Sequence, residues 1–277
     1  MFAKLICHVA WSDPREMRRL ARGVASLSAV CAAAASPACR LYVTQPLFAG
    51  APIELADRQR HYLASVMRLR MGDAVRLFNG EDGEWSARVS HIGRRAGTLS
   101  VDELLRPQPP PRAAPALAFS LLKSSRLPTV IEKATELGAA EVLPVLSAHC
   151  AARKMRREKL ELTAIEAAEQ CERLSVPPVR EVRTLAQLLG EWDPARPILV
   201  CDERRGDRAV PLSTVAAEGG APSRPSPALL VGPEGGFSAE EFAMLEGHEA
   251  VRLVSLGQNT LRAETAALAA LAILTCR

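Results

Sequence analysis

Residues 106–112 read Arg-Pro-Gln-Pro-Pro-Pro-Arg, and this run sets the first limit on the fold. Proline has no amide hydrogen and holds φ near −65°, so so dense a cluster fits neither a helix interior nor a central strand. The run reads as a semi-rigid extended linker. It divides the 277-residue chain into two stretches whose patterns differ.

Ahead of the linker, the pattern is short and strand-like. Trp85, Ala87, Val89 and His91 alternate with Ser86, Arg88 and Ser90, the period of a half-buried strand. Asn79-Gly80 and the segment Gly93 to Gly97 mark turns on either side. One helical interruption fits Asp57 as N-cap, with Tyr62, Leu63, Val66 and Met67 on one stripe. Several short strands between turns predict a small barrel over residues 41–105.

Beyond the linker, strand and helix alternate. Ala116 to Leu122 is a continuous apolar run, as in a strand covered on both faces. Pro128 opens a helix that Gly138 closes, and strands follow at 141–146, 198–201, 229–231 and 251–256. Ser238-x-x-Glu241 is a capping box, and an Ala- and Leu-rich helix begins near Glu264. The alternation predicts an α/β domain with a largely parallel sheet over residues 113–277.

The net charge of +4 suggests an acidic partner until its position is considered. All of the excess falls in residues 1–40, where Lys4, Arg15, Arg18, Arg19, Arg22 and Arg40 face only Asp13 and Glu16. That segment matches a secretory signal poorly and reads as a disordered or non-native extension. The seven cysteines form no C-x-x-C pair, so neither a disulfide framework nor a structural zinc site is expected. Reduced thiols in the cytoplasm, no metal and no membrane span are the expectation. Within 41–105 every basic residue other than histidine is arginine, and carboxylates match their number. Guanidinium groups bind phosphate in bidentate fashion and stack on bases, so the barrel reads either as an RNA platform or as a solvated Arg-rich surface.

Two loops in the last third depart from what folding alone requires. Val231-Gly-Pro-Glu-Gly-Gly-Phe237 joins a buried strand to a capped helix, and its glycines let the backbone approach a ligand closely. It is neither a Walker loop nor G-x-G-x-x-G. Leu256-Gly-Gln-Asn-Thr-Leu-Arg-Ala-Glu-Thr-Ala266 also leaves a strand and enters a helix, bringing Asn259, Arg262, Glu264 and Thr265 to a helix N-terminus. Glu264 could serve the helix dipole alone and Thr265 could be a cap alone.

Together these residues resemble the C-terminal signature of the ribosomal RNA small subunit methyltransferase E family. The resemblance rests on Gly232-Pro-Glu-Gly-Gly236, Leu256-Gly257, Leu261-Arg262 and Glu264-Thr265-Ala266. It extends back through Glu169-Gln-Cys-x-Arg173, Glu136-Leu-Gly138, Val66-Met-Arg-Leu69 and Arg40-Leu-Tyr-Val43. The chain departs from the family pattern at Asn259, Thr260 and Ala263. The resemblance implies a PUA-like barrel followed by a SPOUT domain with a trefoil-knotted parallel sheet. It also implies a cytoplasmic homodimer that methylates N3 of a uridine in 16S rRNA of the small ribosomal subunit.

By the same resemblance, S-adenosylmethionine binds Val231, Gly232, Pro233, Glu234, Gly235, Gly236, Leu256, Gly257, Asn259, Leu261, Arg262, Glu264, Thr265 and Ala266. Arg173 and Arg262 are the catalytic candidates, as cations beside the uracil carbonyls, although either could instead be a structural ion-pair residue. Arg68 and Arg70, with the run Arg153, Lys154, Arg156 and Arg157, are expected to contact RNA phosphates. Three rivals remain: a SPOUT enzyme acting on another RNA position such as a ribose 2′-hydroxyl, a non-catalytic RNA-binding protein, and a phosphate-binding enzyme that uses the Gly232 loop for nucleotides.

Overall fold

The computed structural model describes residues 39–110, 113–202, 204, 209–217 and 225–276. The expected extension, up to residue 38, lies outside the described residues, as do 111 and 112 of the proline run. The barrel begins two residues earlier than expected, because Cys39 is buried in its core and Arg40 opens its first strand. At its other end the last strand includes Arg106.

The N-terminal sheet has five strands: β1 (Arg40–Tyr42), β2 (Pro52–Glu54), β3 (Ala74–Phe78), β4 (Glu84–Ile92) and β5 (Gly97–Arg106). Their order is β1-β3-β4-β5-β2, with β1 parallel to β3 and the other pairs antiparallel. Leu41 lies beside Leu77, Val75 beside Ala87, and Leu99 between Val89 and Ile53, so alternate residues fill one core. The expected alternation in β4 holds through Val89 and fails at His91, which is exposed. The cause is a register shift between Val89 and His91, since one extra residue turns every later side chain to the opposite face.

The helical interruption also departs from expectation. Ala56, not Asp57, is the N-cap, and its amide donates to the Gln59 side chain at 3.0 Å. Helix α1 (Asp57–His61) runs directly into a π-helical turn over Tyr62–Val66. That wider turn keeps Leu63 in the core and rotates Val66 outward to 60% exposure.

Gly83 has φ +87°, and a Cβ there would lie 2.3 Å from the Arg106 carbonyl oxygen and 2.8 Å from the Gln108 amide. Both obstacles are backbone, so neither can swing aside. Gly83→Ala is expected to cost about 3 kcal/mol, read as a lowered urea midpoint. An unchanged midpoint would show that the β3–β4 turn relaxes freely.

The second sheet has seven strands: β6 (Ala116–Ser120), β7 (Val142–Leu146), β8 (Arg183–Thr184), β9 (Ile198–Cys201), β10 (Val210–Pro211), β11 (Ala228–Val231) and β12 (Val251–Ser255). All pairings are parallel, in the order β10-β12-β9-β11-β6-β7-β8. Such a sheet must be covered on both faces, which explains the unbroken apolar runs. Leu117, Phe119, Leu229 and Val231 point into one core with α2 (Leu127–Glu136), α3 (Arg157–Gln170) and α7 (Ala263–Thr275). Ala118, Val200 and Leu230 point the other way, against α4 (Leu185–Gly190) and α6 (Ala239–Glu246). Each large side chain buried this way contributes roughly 1.5–3 kcal/mol. After β12, at the far side of β9, the chain returns to lay α7 against β11, β6 and α2.

The two sheets meet at the C-terminal end of α3, whose last carbonyls need partners. Arg40 is buried and supplies one, donating to Ala168 O at 2.5 Å, and it also donates to Arg173 O, just past the helix, at 2.7 Å. Arg106 donates to Glu172 O at 3.0 Å, and Arg76 pairs with the Glu172 carboxylate at 3.1 Å. Glu84, also buried, lies among these cations, with Arg40 at 2.5 Å, Arg106 at 2.8 Å and Arg76 at 3.8 Å. Cations at a helix C-terminus also suit its dipole.

Candidate functional site

In a parallel α/β sheet, ligands bind beyond the C-terminal strand ends. Here β9, β11 and β12 end side by side, with Cys201 paired in register to both Val231 and Val254. Three loops therefore leave one edge. The capping box that starts α6 holds the first: Ser238 Oγ accepts from the Glu241 amide at 3.2 Å, and Glu241 accepts from the Ser238 amide at 2.9 Å.

Within that loop the glycines answer first to neighbours in the chain. A Cβ on Gly232 would lie 3.0 Å from the Phe237 ring, and one on Gly235 would lie 3.1 Å from His149. Gly236 has φ +70°, and its carbonyl is 3.0 Å from the His149 ring. The Ala148 amide donates to Glu241 at 2.7 Å, so the β7–α3 loop is pinned at two points, to the glycine loop and to the first turn of α6. Pro233 is buried and Glu234 exposed.

The loop after β12 turns on Gly257, at φ +114° with open space where a Cβ would be. Ser255 Oγ accepts from the Gly257 amide at 3.1 Å and fixes the turn. Leu256, Gly257, Asn259, Leu261 and Ala266 line a crevice of about 40 Å³ together with Cys201, Asp202 and Ser255. Five of the expected cofactor residues are thereby brought together, while Val231 to Gly236 lie one strand away from them. The lining suits part of a cofactor, an apolar floor edged by backbone and hydroxyl groups. Its volume is far below the roughly 300 Å³ of small-ligand pockets, so the whole group requires the open edge above it as well.

Asp202 was not among the expected residues. Its side chain is fully buried at the end of β9, and it accepts Arg204 Nε at 2.9 Å and Arg204 Nη2 at 3.1 Å. The sequence shows only that the apolar strand Ile198-Leu-Val-Cys ends on a carboxylate; its place between the two strands that carry the loops comes from the sheet order.

Glu264 and Thr265 lie in the first turn of α7. Glu264 accepts Arg126 Nη1 at 2.6 Å, tying the start of α7 to the start of α2. Thr265 is exposed within the first turn, and the N-cap is Arg262. Arg262 makes no capping bond and no ion pair among the described residues. A cation at a helix N-terminus opposes the dipole and caps nothing, so folding gives no reason for it.

Arg173 is not brought to the loops. Its guanidinium donates to Thr135 O at 3.0 Å, Ala139 O at 2.8 Å and Ser175 Oγ at 3.1 Å, bracing the end of α2. Burial lowers its affinity for the proton from the ordinary arginine value. Among the expected phosphate contacts, Arg157 pairs with Glu161 at 3.2 Å and with Glu181. Arg153, Lys154, Arg156, Arg68 and Arg70 are exposed and make no ion pair among the described residues. The described residues contain no cluster of three potential metal ligands and no helix long and apolar enough to cross a membrane.

Residues 109–275 match the RNA methyltransferase domain family, and residues 55–102 match the RNA methyltransferase PUA domain family. The ribosomal RNA small subunit methyltransferase E of Rickettsia conorii is 33% identical over 84% of this chain and 93% of its own. The Mycobacterium bovis protein of that name is 34% identical over 78% and 84%. The crystal structure of the Neisseria gonorrhoeae protein of that name, bound to S-adenosyl methionine, superposes with a TM-score of 0.74 at 26% identity, covering 86% of this chain and 97% of that one. The five-stranded sheet is the PUA-like unit of that fold, and the parallel sheet is its SPOUT unit. On these likenesses the chain belongs to the ribosomal RNA small subunit methyltransferase E family.

Proposed function

We propose that the protein transfers a methyl group from S-adenosylmethionine to N3 of a uridine in 16S rRNA, acting in the cytoplasm as a homodimer. The observation that carries this reading is the convergence of the two signature loops at one edge of β9, β11 and β12, in a chain that superposes on a cofactor-bound relative. Leu256, Gly257, Asn259, Leu261 and Ala266 form one wall of the cofactor site, and the loop from Val231 to Gly236 forms the facing wall.

The bound cofactor supplies an electrophilic methyl on a sulfonium, whose C–S bond breaks as the N3–C bond forms. N3 must first shed its imide proton, and the charge left on uracil spreads to its two carbonyl oxygens. Arg262, exposed beside the crevice loop and in no ion pair among the described residues, is the cation assigned to stabilise that charge. Arg173, bonded to two carbonyls and a hydroxyl, holds the framework instead. Arg153, Lys154 and Arg156 extend from the loop pinned to the glycine turn, where they grip phosphates near the target.

Incubation with undermethylated small subunits and labelled cofactor, followed by nucleoside mass spectrometry, is expected to yield 3-methyluridine. A ribose-methylated nucleoside would replace this reading with 2′-O chemistry.

A further inference from the structure

A cavity of about 620 Å³ lies where the barrel meets α3. It is within the range of small-ligand pockets and shares no residue with the crevice beneath the β12 loop. The barrel contributes Tyr42 and Tyr62, and α3 contributes Leu162, Ile165, Glu166 and Glu169. Those four α3 positions recur at helical spacing and form one face. The face turns away from the domain core, which receives Leu160 and Ala164 instead. Leu162 is left 39% exposed.

The walls have a definite chemistry. Both tyrosine rings are half-buried and offer flat surfaces for stacking. One oxygen of Glu169 accepts the Tyr42 amide at 3.0 Å, and the other has no hydrogen-bond partner among the described residues. Glu166 is paired with Arg58, and Glu54 adds another carboxylate to the lining. Burial raises the Glu169 carboxyl above its ordinary value, by more than the Tyr42 amide lowers it. A donor edge set against that carboxylate would offset this cost. Acceptors outnumber cations here, so the cavity repels a phosphate and favours a flat group that donates hydrogen bonds. Adenine, cytosine and guanine have amino edges of this kind, and guanine sets two donors side by side. Uracil presents carbonyls on both sides of a single N–H.

We propose that this cavity takes an unpaired, amino-bearing base of the substrate RNA, guanine foremost, stacked on Tyr62 and hydrogen-bonded to Glu169. The enzyme would then hold a second nucleotide apart from the one it methylates. This rests on the RNA-substrate reading given above.

The test uses the full chain and three variants. Leu162→Trp fills the cavity from an exposed position, Tyr62→Ala removes the stacking surface, and Glu169→Gln keeps an acceptor for Tyr42 while losing the second. Steady-state methylation of undermethylated small-subunit rRNA is measured alongside ultraviolet crosslinking of the wild type to the same RNA, with peptide and nucleotide read by mass spectrometry. Expected are a rise of about tenfold in the KM for RNA, the scale of one base–aromatic stack, an unchanged kcat, and a crosslink from Tyr42 or Tyr62 to guanosine, adenosine or cytidine. An unaltered KM in Leu162→Trp, or a crosslink to uridine, would overturn the proposal. So would a change in oligomeric mass in that variant, which would assign the cavity to a second copy of the chain. If the wild type methylates no rRNA yet crosslinks at these tyrosines, the cavity assignment stands and the target reading fails. If it does neither, both fall.

Discussion

Arg262→Ala is expected to lower kcat by about 10²–10³-fold, the effect of deleting one electrostatic stabiliser from an active site. Its melting temperature should stay within a degree or two of the wild type. The contrast follows from local structure, because the Arg262 side chain is exposed at the N-cap of α7, makes no capping bond or ion pair among the described residues and opposes the helix dipole. Removing it costs folding little. Arg173→Ala should do the reverse, lowering stability by stranding the Thr135 and Ala139 carbonyls while sparing kcat in the molecules that remain folded. Single-turnover methylation and thermal denaturation on both variants separate the two roles. A normal rate in Arg262→Ala would remove it from the reaction.

Glu84→Ala is expected to cost about 3–5 kcal/mol, the penalty for breaking a buried ion pair and leaving its cations unpaired. Arg40 then keeps its two carbonyl contacts and loses its counter-charge, although burial already pulls its guanidinium below the ordinary arginine value. For the Glu84 carboxyl, burial acts upward, yet the hydrogen bonds and charges of Arg40 and Arg106 outweigh it and hold the group below its usual 4.5. A carboxyl depressed by folding stabilises the native state above its unfolded pKa. That contribution is lost as pH falls through the lower folded value. Denaturant titrations from pH 7 to pH 3 should therefore show the gap between wild type and the isosteric Glu84→Gln shrinking below about pH 4.5. Glu141 is also depressed, by Arg196 and Arg180 against its own burial, so the difference between the two proteins is the informative quantity. A gap constant with pH would show that Glu84 acts through packing rather than charge.

Much of the framework was legible in the sequence wherever one local rule dominated. Apolar runs marked the buried strands, Pro128 and Gly138 bracketed α2, and Ser238 with Glu241 capped α6 as expected. The errors arose where a single inserted residue changed phase, as at the register shift near His91 and the π turn that exposes Val66. Periodicity cannot register such insertions, because each side of the slip remains periodic. At the site, Leu256, Gly257 and Asn259 could be read from a strand–loop–helix junction. Asp202 could not, since its place depends on which strands are neighbours in the sheet. The role of Arg173 was hidden for a related reason. Its partners are backbone carbonyls, which every residue has and no sequence displays.

The grip of Arg40, Arg76 and Arg106 on the end of α3 has one more consequence. One of these bonds goes to the last turn of the helix and the others to the turn just past it, and several separate anchor points fix direction as well as distance. The PUA-like sheet cannot swivel about the proline run without giving up several of these bonds together. Arg68 and Arg70, in the segment that leads into β3, and the glycine loop of the other sheet thus stand a set span apart, like the jaws of a caliper. A folded RNA would be accepted or refused by the gap between two of its features, before any base was read.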